Sequence, residues 1–337
     1  MADHNLVSLE SHILRGEALH PGSSGDFTWI LSALSLAAKV IAAKVRRARI
    51  EDVLGAGGAT NVHGETQQKL DIIANEVLMA CLGDRPSLSV VASEEHEEPT
   101  ILRLESDGGK YCVIFDPLDG SSNLDVCAGV GTIFSILRHE PGVLDPVAAL
   151  CQPGIRQLAA GYILYGSSTV FVLTTGNGVD LFALDPSIGS FVLVTPNIRI
   201  PARGRTYSVN EAYSLTFPEG IRRYLAWAHG HGYSSRYIGS MVADVHRTLL
   251  NGGVFLYPPT AAHPGGKLRL LYEGNPMGMI IEQAGGRAVA LDASGQVRDM
   301  LQVIPSSVHQ RISAVLGSPD DVALVVDHLN AHPAGTA

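Results

Sequence analysis

The sequence predicts a mixed α/β protein built in layers and divided into two lobes. Three observations predict it. Between about Leu88 and Val194, short apolar runs are punctuated by Gly, Pro and Asp, the pattern of successive strands. Beyond Gly204, strand-like runs alternate with amphipathic helical stretches. A chain of 337 residues also exceeds the usual size of a single-core domain.

The first element in chain order is a helix over residues 27–50. Ile30, Leu34, Ala37, Ala38, Ile41 and Val45 fall on one stripe, and Lys39, Arg46 and Arg47 lie outside it. Ser23, Ser24 and Asp26 are candidate N-caps. Gly55-Ala56-Gly57-Gly58-Ala59 is too rich in glycine for regular structure and reads as a flexible loop reaching residues 61–65. A second helix covers 67–82 and stops near Gly83. Strands are expected around Val90 and over 111–115, 132–137, 159–164, 170–174 and 191–194. The Pro-containing stretch 195–204 marks the boundary between an N-terminal lobe, 1–198, and a C-terminal lobe, 199–330. The second lobe has strands at 205–209, 253–256 and 288–290, and a further strand over 268–272 leads to Glu273. Its helices cover 218–229, 242–251, 276–284 and 319–328, the last opened by Pro319-Asp320-Asp321. The tail, 331–337, is expected to be disordered.

Composition removes several function classes. The formal net charge of −9 opposes nucleic-acid binding, which needs a basic face. The most apolar long stretch, 29–45, is interrupted by Lys39 and Lys44, so no membrane span is expected. Met1-Ala2-Asp3-His4-Asn5 does not begin a signal peptide. Cys81, Cys112, Cys127 and Cys151 form no CxxC pair and read as structural thiols in a reducing compartment, which points to the cytoplasm. His229 and His231 have no third ligand nearby and do not make a zinc site, and no Walker A string or dinucleotide fingerprint is present.

The most informative segment is Lys110–Asp125, KYCVIFDPLDGSSNLD. The apolar run 111–115 reads as a buried strand that stops at Asp116-Pro117, because Pro117 cannot donate to a ladder and Gly120 permits unusual backbone. Asp116 and Asp119 are thereby placed on a lightly buried turn, where both can converge on one hard cation. Gly120-Ser121-Ser122 can aim backbone N–H groups at an anion. A cation beside an anion pocket is the layout of metal-assisted phosphate chemistry. The same residues also suit an Asp-rich turn that caps a helix.

The full string DPLDGSSN resembles the metal-binding motif of the lithium-sensitive phosphatase superfamily, which includes inositol monophosphatases and fructose-1,6-bisphosphatases. Further blocks narrow the resemblance: Asn61–Glu65 leading into Gln68–Asp71, Ser93-Glu94-Glu95, Tyr207–Glu211, Arg236–Arg247, and Gly253–Pro258 followed by Gly266–Glu273. In this order, from about Gly25 to about Gly286, they resemble class I fructose-1,6-bisphosphatase. The resemblance implies a layered αβαβα sandwich of the sugar-phosphatase type. It also implies Mg²⁺-dependent hydrolysis of the 1-phosphate of fructose 1,6-bisphosphate, with two or three Mg²⁺ per subunit, or Mn²⁺ in their place. Alternatives are a sedoheptulose-1,7-bisphosphatase and a catalytically silent nucleotide-sensing subunit.

The resemblance assigns residues individually. Glu94, Glu95, Asp116, Asp119 and Glu273 match metal ligands, with Leu118 contributing its carbonyl. Asp71 and Glu95 match the pair that polarises the attacking water, and Glu65 an acidic residue on a mobile loop. Read alone, Asp71 and the acidic run from Glu94 to Glu98 would pass as solvated surface. Gly120, Ser121, Ser122, Gly239 and Met241 match groups around the scissile phosphate and sugar, and Asp119 borders them. Asn210, Tyr213, Tyr237, Tyr257 and Lys267 match a second phosphate pocket, and Arg236 matches an arginine that arrives from a neighbouring subunit in a homotetramer. Ser24, Gly25, Asp26, Thr28, Lys110, Tyr111 and Arg138 match an inhibitory AMP site. Ser24 and Asp26 stand where the family often has Thr and Glu, and a shorter acid there can cap the helix and repel phosphate.

Overall fold

The structure, a computed structural model, describes residues 6–18, 25–60, 66–292 and 295–331. The N-terminal part contains helices α1 (Leu9–Ala18) and α2 (Asp26–Arg47), hairpin strands β1 (Ala56–Thr60) and β2 (Thr66–Gln68), and α3 (Lys69–Gly83). Strands β3 (Leu88–Ser93), β4 (Thr100–Ile101), β5 (Tyr111–Asp119) and β6 (Val130–Arg138) precede the short α4 (Pro146–Leu150). Then come β7 (Gln157–Tyr165), β8 (Thr169–Thr174), β9 (Asp180–Asp185) and β10 (Ser190–Thr195). The C-terminal part runs β11 (Thr206–Ser208), α5 (Glu219–Gly230), β12 (Ser234–Ser235), α6 (Met241–Asn251), β13 (Val254–Tyr257), β14 (Leu268–Arg269) and α7 (Asn275–Gln283). It ends with β15 (Arg287–Leu291), β16 (Val297–Asp299), β17 (Arg311–Ile312), β18 (Ala314–Gly317) and α8 (Pro319–Ala331).

Two sheets organise the molecule. The larger has eight strands in the order β10-β9-β8-β7-β6-β5-β3-β4, antiparallel except where β3 runs parallel to β5. The smaller has six, β12-β11-β13-β18-β15-β16. Side-chain alternation distributes the core among the layers. On β5, Tyr111, Val113 and Phe115 face α2 and α3, whereas Cys112 and Ile114 face α4 and the Leu271–Tyr272 turn. Tyr162 and Val172 on the large sheet, and Phe255 and Leu316 on the small one, close on Val242 and Val245 of α6 and Ile280 and Ile281 of α7. The outer face of the small sheet is covered by Ile221, Leu225, Val322 and Val325 of α5 and α8. The sequence of layers is thus α, β, α, β, α.

Several local expectations change. The glycine-rich segment forms β1, whose backbone pairs with β2 from Ala56↔Gln68 to Thr60↔Thr66. Backbone pairing needs no side chains, so the absence of Cβ atoms did not prevent a strand. Gly25, with φ 74°, is the N-cap of α2, and Asp26 is its first helical residue rather than its cap. Helix α2 is long and apolar enough, by length and composition, to cross a membrane, because Lys39 and Lys44 interrupt it too sparsely. Here its stripe Ile30, Leu34, Ala38 and Ile41 is buried against the large sheet. Helix α1 and strand β9 were not legible, since both are short and interspersed with polar residues. Ser24, Glu65 and the tail 332–337 lie outside the described residues.

Gly131 fixes how closely α6 approaches β6. A Cβ at this position would lie 2.5 Å from the Ile163 carbonyl oxygen and 2.7 Å from a Val242 methyl. Gly131→Ala is expected to lower unfolding stability by about 1–3 kcal/mol in urea melts. Gly83→Ala, with open space around it, should leave the midpoint in place.

Candidate active site

Strand β5 continues past Phe115 to Asp119, beyond the expected stop. Pro117 is tolerated because the strand is bulged there. Asp116 faces Ile133 across the ladder and Asp119 faces Gly131, three steps on one strand against two on the other. Residues three apart on a regular strand point to opposite faces. The extra residue turns Asp116 and Asp119 to the same side. They do not sit on a lightly buried turn, being only 6% and 9% exposed.

Glu273 arrives from a different element than expected. The 268–272 strand is reduced to β14, whose ladder partner β17 has two residues. The chain then makes a π-helical turn over Leu270–Gly274 that carries Glu273 inward. There Glu273 Oε2 accepts the Arg269 N–H at 2.6 Å. Asp116, Asp119 and Glu273 each place an oxygen within 4.8 Å of the others. Glu94 and Glu95 follow β3 and line the same cavity, of about 390 Å³.

Burial dominates the electrostatics of this cluster. It lifts Asp116 and Glu273 well above the carboxylate range, and the neighbouring carboxylates push in the same direction. Glu94 is pushed up to about 7, mainly by burial and against the opposing pull of Arg269. The Arg269 side chain is buried, with Nε 3.8 Å from Glu94 Oε1. Asp119 is raised by burial too, but donors offset part of the shift. Ser240 Oγ donates to its Oδ2 at 2.6 Å, the Val242 N–H at 2.9 Å, and the Met241 N–H to Oδ1 at 3.2 Å. These are groups of the α6 N-terminus, which favours negative charge. The clustered donors are carboxylate oxygens with no thiolate or imidazole among them, a set that fits a hard divalent cation.

Beside the carboxylates, Gly120 (φ 74°) opens a 3₁₀ turn over Ser121–Val126. A Cβ on Gly120 would meet that of Ser240 at 2.5 Å, so this turn and α6 interlock only through glycine. A second cavity, about 580 Å³, adjoins the first. The two share Ser122, Tyr237, Gly239, Tyr257 and Lys267, and Asn210 and Tyr213 line only the second.

The structure therefore brings Glu94, Glu95, Asp116, Leu118, Asp119 and Glu273 to one cavity, together with Gly120, Ser121, Ser122, Gly239 and Met241. Asp71 does not line it. The Asp71 side chain is buried at the third position of α3, where Oδ2 accepts the Gln68 N–H at 2.8 Å, and it is Gln68 that reaches the cavity. Asp71 is thus neither a solvated surface residue nor part of the cavity wall. Arg236 is exposed and lines neither cavity. Elsewhere, Lys110 Nζ lies 2.6 Å from Asp26 Oδ2, and the Arg138 guanidinium sits 5.2 Å over the Tyr111 ring. Thr28 Oγ1 is buried nearby on α2.

Sequence reasoning missed Ser240, Asp244 and Arg269. Asp244 accepts the Ile238 and Gly239 N–H groups at 2.9 and 3.0 Å and so shapes the loop before α6. Ser240 was detectable as a hydroxyl N-cap before an apolar helix. Arg269 was detectable through period two, which places it on the face of Lys267.

A five-layer frame with buried carboxylates in one cavity and Asn210, Tyr213 and Lys267 in a second that adjoins it belongs to the metal-dependent phosphatases. Comparison with known proteins refines that class. Residues 7–196 match the family model of the fructose-1,6-bisphosphatase N-terminal domain, and residues 200–330 that of the C-terminal domain. The class 1 fructose-1,6-bisphosphatase of Chlorobium chlorochromatii is 47% identical, covering 94% of this chain and 96% of its own. That of Chloroherpeton thalassium is 46% identical, covering 95% and 92%. The crystal structure of Leishmania major fructose-1,6-bisphosphatase in holo form superposes with a TM-score of 0.90 at 39% identity, covering 96% of this chain and 99% of that one. The apo form of the same enzyme gives 0.85 at 38% identity, over the same shares of the two chains. This chain belongs to the class 1 fructose-1,6-bisphosphatase family, whose members use a divalent metal and act on a sugar bisphosphate.

The raised carboxylates set a pH dependence. Glu94 holds its proton more tightly in the folded chain than in the unfolded one. In metal-free protein its contribution to stability is therefore fully present below the ordinary glutamate range and is lost as pH rises through about 7. Metal ligation needs the ionised forms, so metal affinity should rise over the same interval. Calorimetry in chelator is expected to show Tm falling between about pH 6 and about pH 8, with saturating Mn²⁺ removing most of the fall. A metal-free Tm that climbs across this range would contradict the assignment.

Proposed function

We propose that this protein hydrolyses the 1-phosphate of fructose 1,6-bisphosphate, yielding fructose 6-phosphate and phosphate, with Mg²⁺ as the cation and two or three ions per subunit, in the cytoplasm. The observation that carries this reading is the pair of adjoining cavities. One is lined by carboxylates and the other by neutral donors, and Tyr257 and Lys267 are shared between them. A molecule with two phosphates separated by a sugar matches that division.

Cations held by Glu94, Asp116, Asp119, Glu273 and the Leu118 carbonyl would supply Lewis acidity and neutralise charge on the reacting phosphate. The chain supplies the rest. Backbone N–H groups of the Gly120–Ser122 turn orient the scissile phosphate. Glu95 faces the cleft and receives the proton of the attacking water, and Asp71, which lies behind Gln68 and outside the cavity wall, acts with it from there. Glu65 completes the acidic set. Asn210, Tyr213, Tyr237, Tyr257 and Lys267 hold the phosphate that does not react. The second cavity is also lined by Ala261, Ala262 and His263. Sedoheptulose 1,7-bisphosphate, one sugar carbon longer, is the alternative substrate. Phosphate release from both sugars by pure protein with Mg²⁺ tests the reading, and inertness toward fructose 1,6-bisphosphate would overturn it.

Arg236, exposed and outside its own cleft, serves the second cavity of a neighbour in a homotetramer. Arg236→Ala is expected to raise KM about tenfold or more while kcat changes less, because it touches only the non-reacting phosphate. Sedimentation should find tetramers, and a fully active monomer at high dilution would sink the idea.

AMP acts as an inhibitor at the α2 N-terminus, with Lys110, Tyr111 and Arg138 as partners. The Asp26–Lys110 ion pair competes with the nucleotide phosphate there. Asp26→Asn should therefore lower the AMP concentration for half-inhibition, by several-fold in a titration at fixed Mg²⁺. Unchanged sensitivity would place AMP elsewhere.

A further inference from the structure

The two acids after β3 occupy the centre of a tight turn. Ser93-Glu94-Glu95-His96 is closed by the His96 N–H donating to the Ser93 carbonyl at 3.2 Å, which places Glu94 and Glu95 at its middle positions. One residue outside the turn holds both of its ends. Asn75 on α3 accepts from Ser93 Oγ at 2.7 Å through Oδ1. Its amide nitrogen donates to His96 Nε2 at 2.9 Å. Ser93 Oγ in turn accepts the Glu95 N–H at 3.3 Å. Asn75 and Ser93 are buried, at 7% and 2% exposure. Asn75 also lies one helical turn beyond Asp71 on α3, so the same helix sets the position of both acids assigned to the attacking water.

We propose that Asn75 is a positioning residue for the Glu94–Glu95 turn, fixing Glu94 for the cation and Glu95 for the water. The proposal rests on the roles given above to these two acids. The bonds run in series, Asn75 to Ser93 and Ser93 to the Glu95 N–H, with a second arm to His96. Removing Asn75 frees both ends of the turn and leaves the buried Ser93 hydroxyl without its acceptor. Removing the Ser93 hydroxyl breaks the arm that reaches Glu95. Neither side chain lines the cleft, so substrate contacts on the far wall stay as they are.

The test compares Asn75→Ala, Ser93→Ala and the double variant by kinetics and by Mn²⁺ titration calorimetry of the free protein. Each single variant is expected to lower kcat about tenfold or more, as small misplacements of reacting groups do. Mn²⁺ binding should weaken several-fold, and KM for fructose 1,6-bisphosphate should stay within about threefold. The double variant should be little worse than Asn75→Ala, because both changes cut one chain of bonds. Ser93→Ala carries the test if Asn75→Ala does not fold. Unchanged Mn²⁺ affinity in a folded variant, a KM that rises as far as kcat falls, or additive losses would overturn the proposal. Weakened Mn²⁺ binding in variants of a wild type that leaves fructose 1,6-bisphosphate intact would uphold the positioning role and overturn only the substrate reading.

Discussion

Asp116, Asp119 and Glu273 are buried with oxygens within 4.8 Å of one another, and the surrounding structure depends on how that repulsion is contained. At an effective dielectric of about 20, each ionised pair at this separation would cost about 3 kcal/mol. Side chains free to move would separate. Here the bulge in β5 fixes two of them and the π-helical turn after β14 fixes the third. The backbone thus keeps together charges that would otherwise move apart. Burial is the larger cause of the raised pKa values of Asp116 and Glu273, and the mutual repulsion adds to it, so protonation relieves both. A divalent cation relieves the repulsion more completely.

The three acids are not equivalent. Asp119 receives three donors from Ser240, Met241 and Val242, all stabilising its charged form. For Asp116 the Leu118 N–H donates at 2.9 Å, and for Glu273 the Arg269 N–H. Asp119 is therefore the acid whose charged form is best supported by donors, while burial holds Asp116 and Glu273 well above their ordinary values. That support also joins the two halves of the chain. Helix α6, from the C-terminal part, packs on β6 through Gly131 and presents its first turn to Asp119 on β5. Gly120 allows that approach, so the site and the middle layer of the sandwich are one construction.

Much of this was legible in the sequence, and the limits are instructive. DPLDGSSN named the carboxylates and the anion turn because those residues are contiguous. The bulge that makes Asp116 and Asp119 usable was not legible: its cause lies in the pairing with Ile133 and Gly131, which no local pattern encodes. For the same reason Glu273 was placed after a strand that turned out to be two residues long. Pairing also explains the glycine-rich hairpin, where propensity argued for a loop but β2 supplied the partner. The partners of Ser240, Arg269 and Asn75 were hidden differently, although the N-cap signal of Ser240 and the strand face of Arg269 could be read. Each of these three acts on a residue far away in sequence, and a side chain's partner across the fold leaves no periodicity behind.

The two cavities divide the work between separate parts of the chain. The carboxylates and the Gly120 turn belong to one cavity, whereas Pro258 and Thr260–His263 wall only the other. That wall is a tight turn, with Thr260 and His263 exchanging backbone hydrogen bonds and the His263 ring 3.2 Å from Arg311 Nη1. Arg311 lies in β17, which pairs with β14, directly after Lys267 and before Glu273. The segment that walls the second cavity is therefore tied to the strand that leads into Glu273. On the proposed reading, residues at 260–262 can change to suit a longer or shorter sugar without disturbing Asp116 or Asp119. A change at His263 cannot be so local, because its ring contacts the ladder that positions Arg269 and, through it, Glu273.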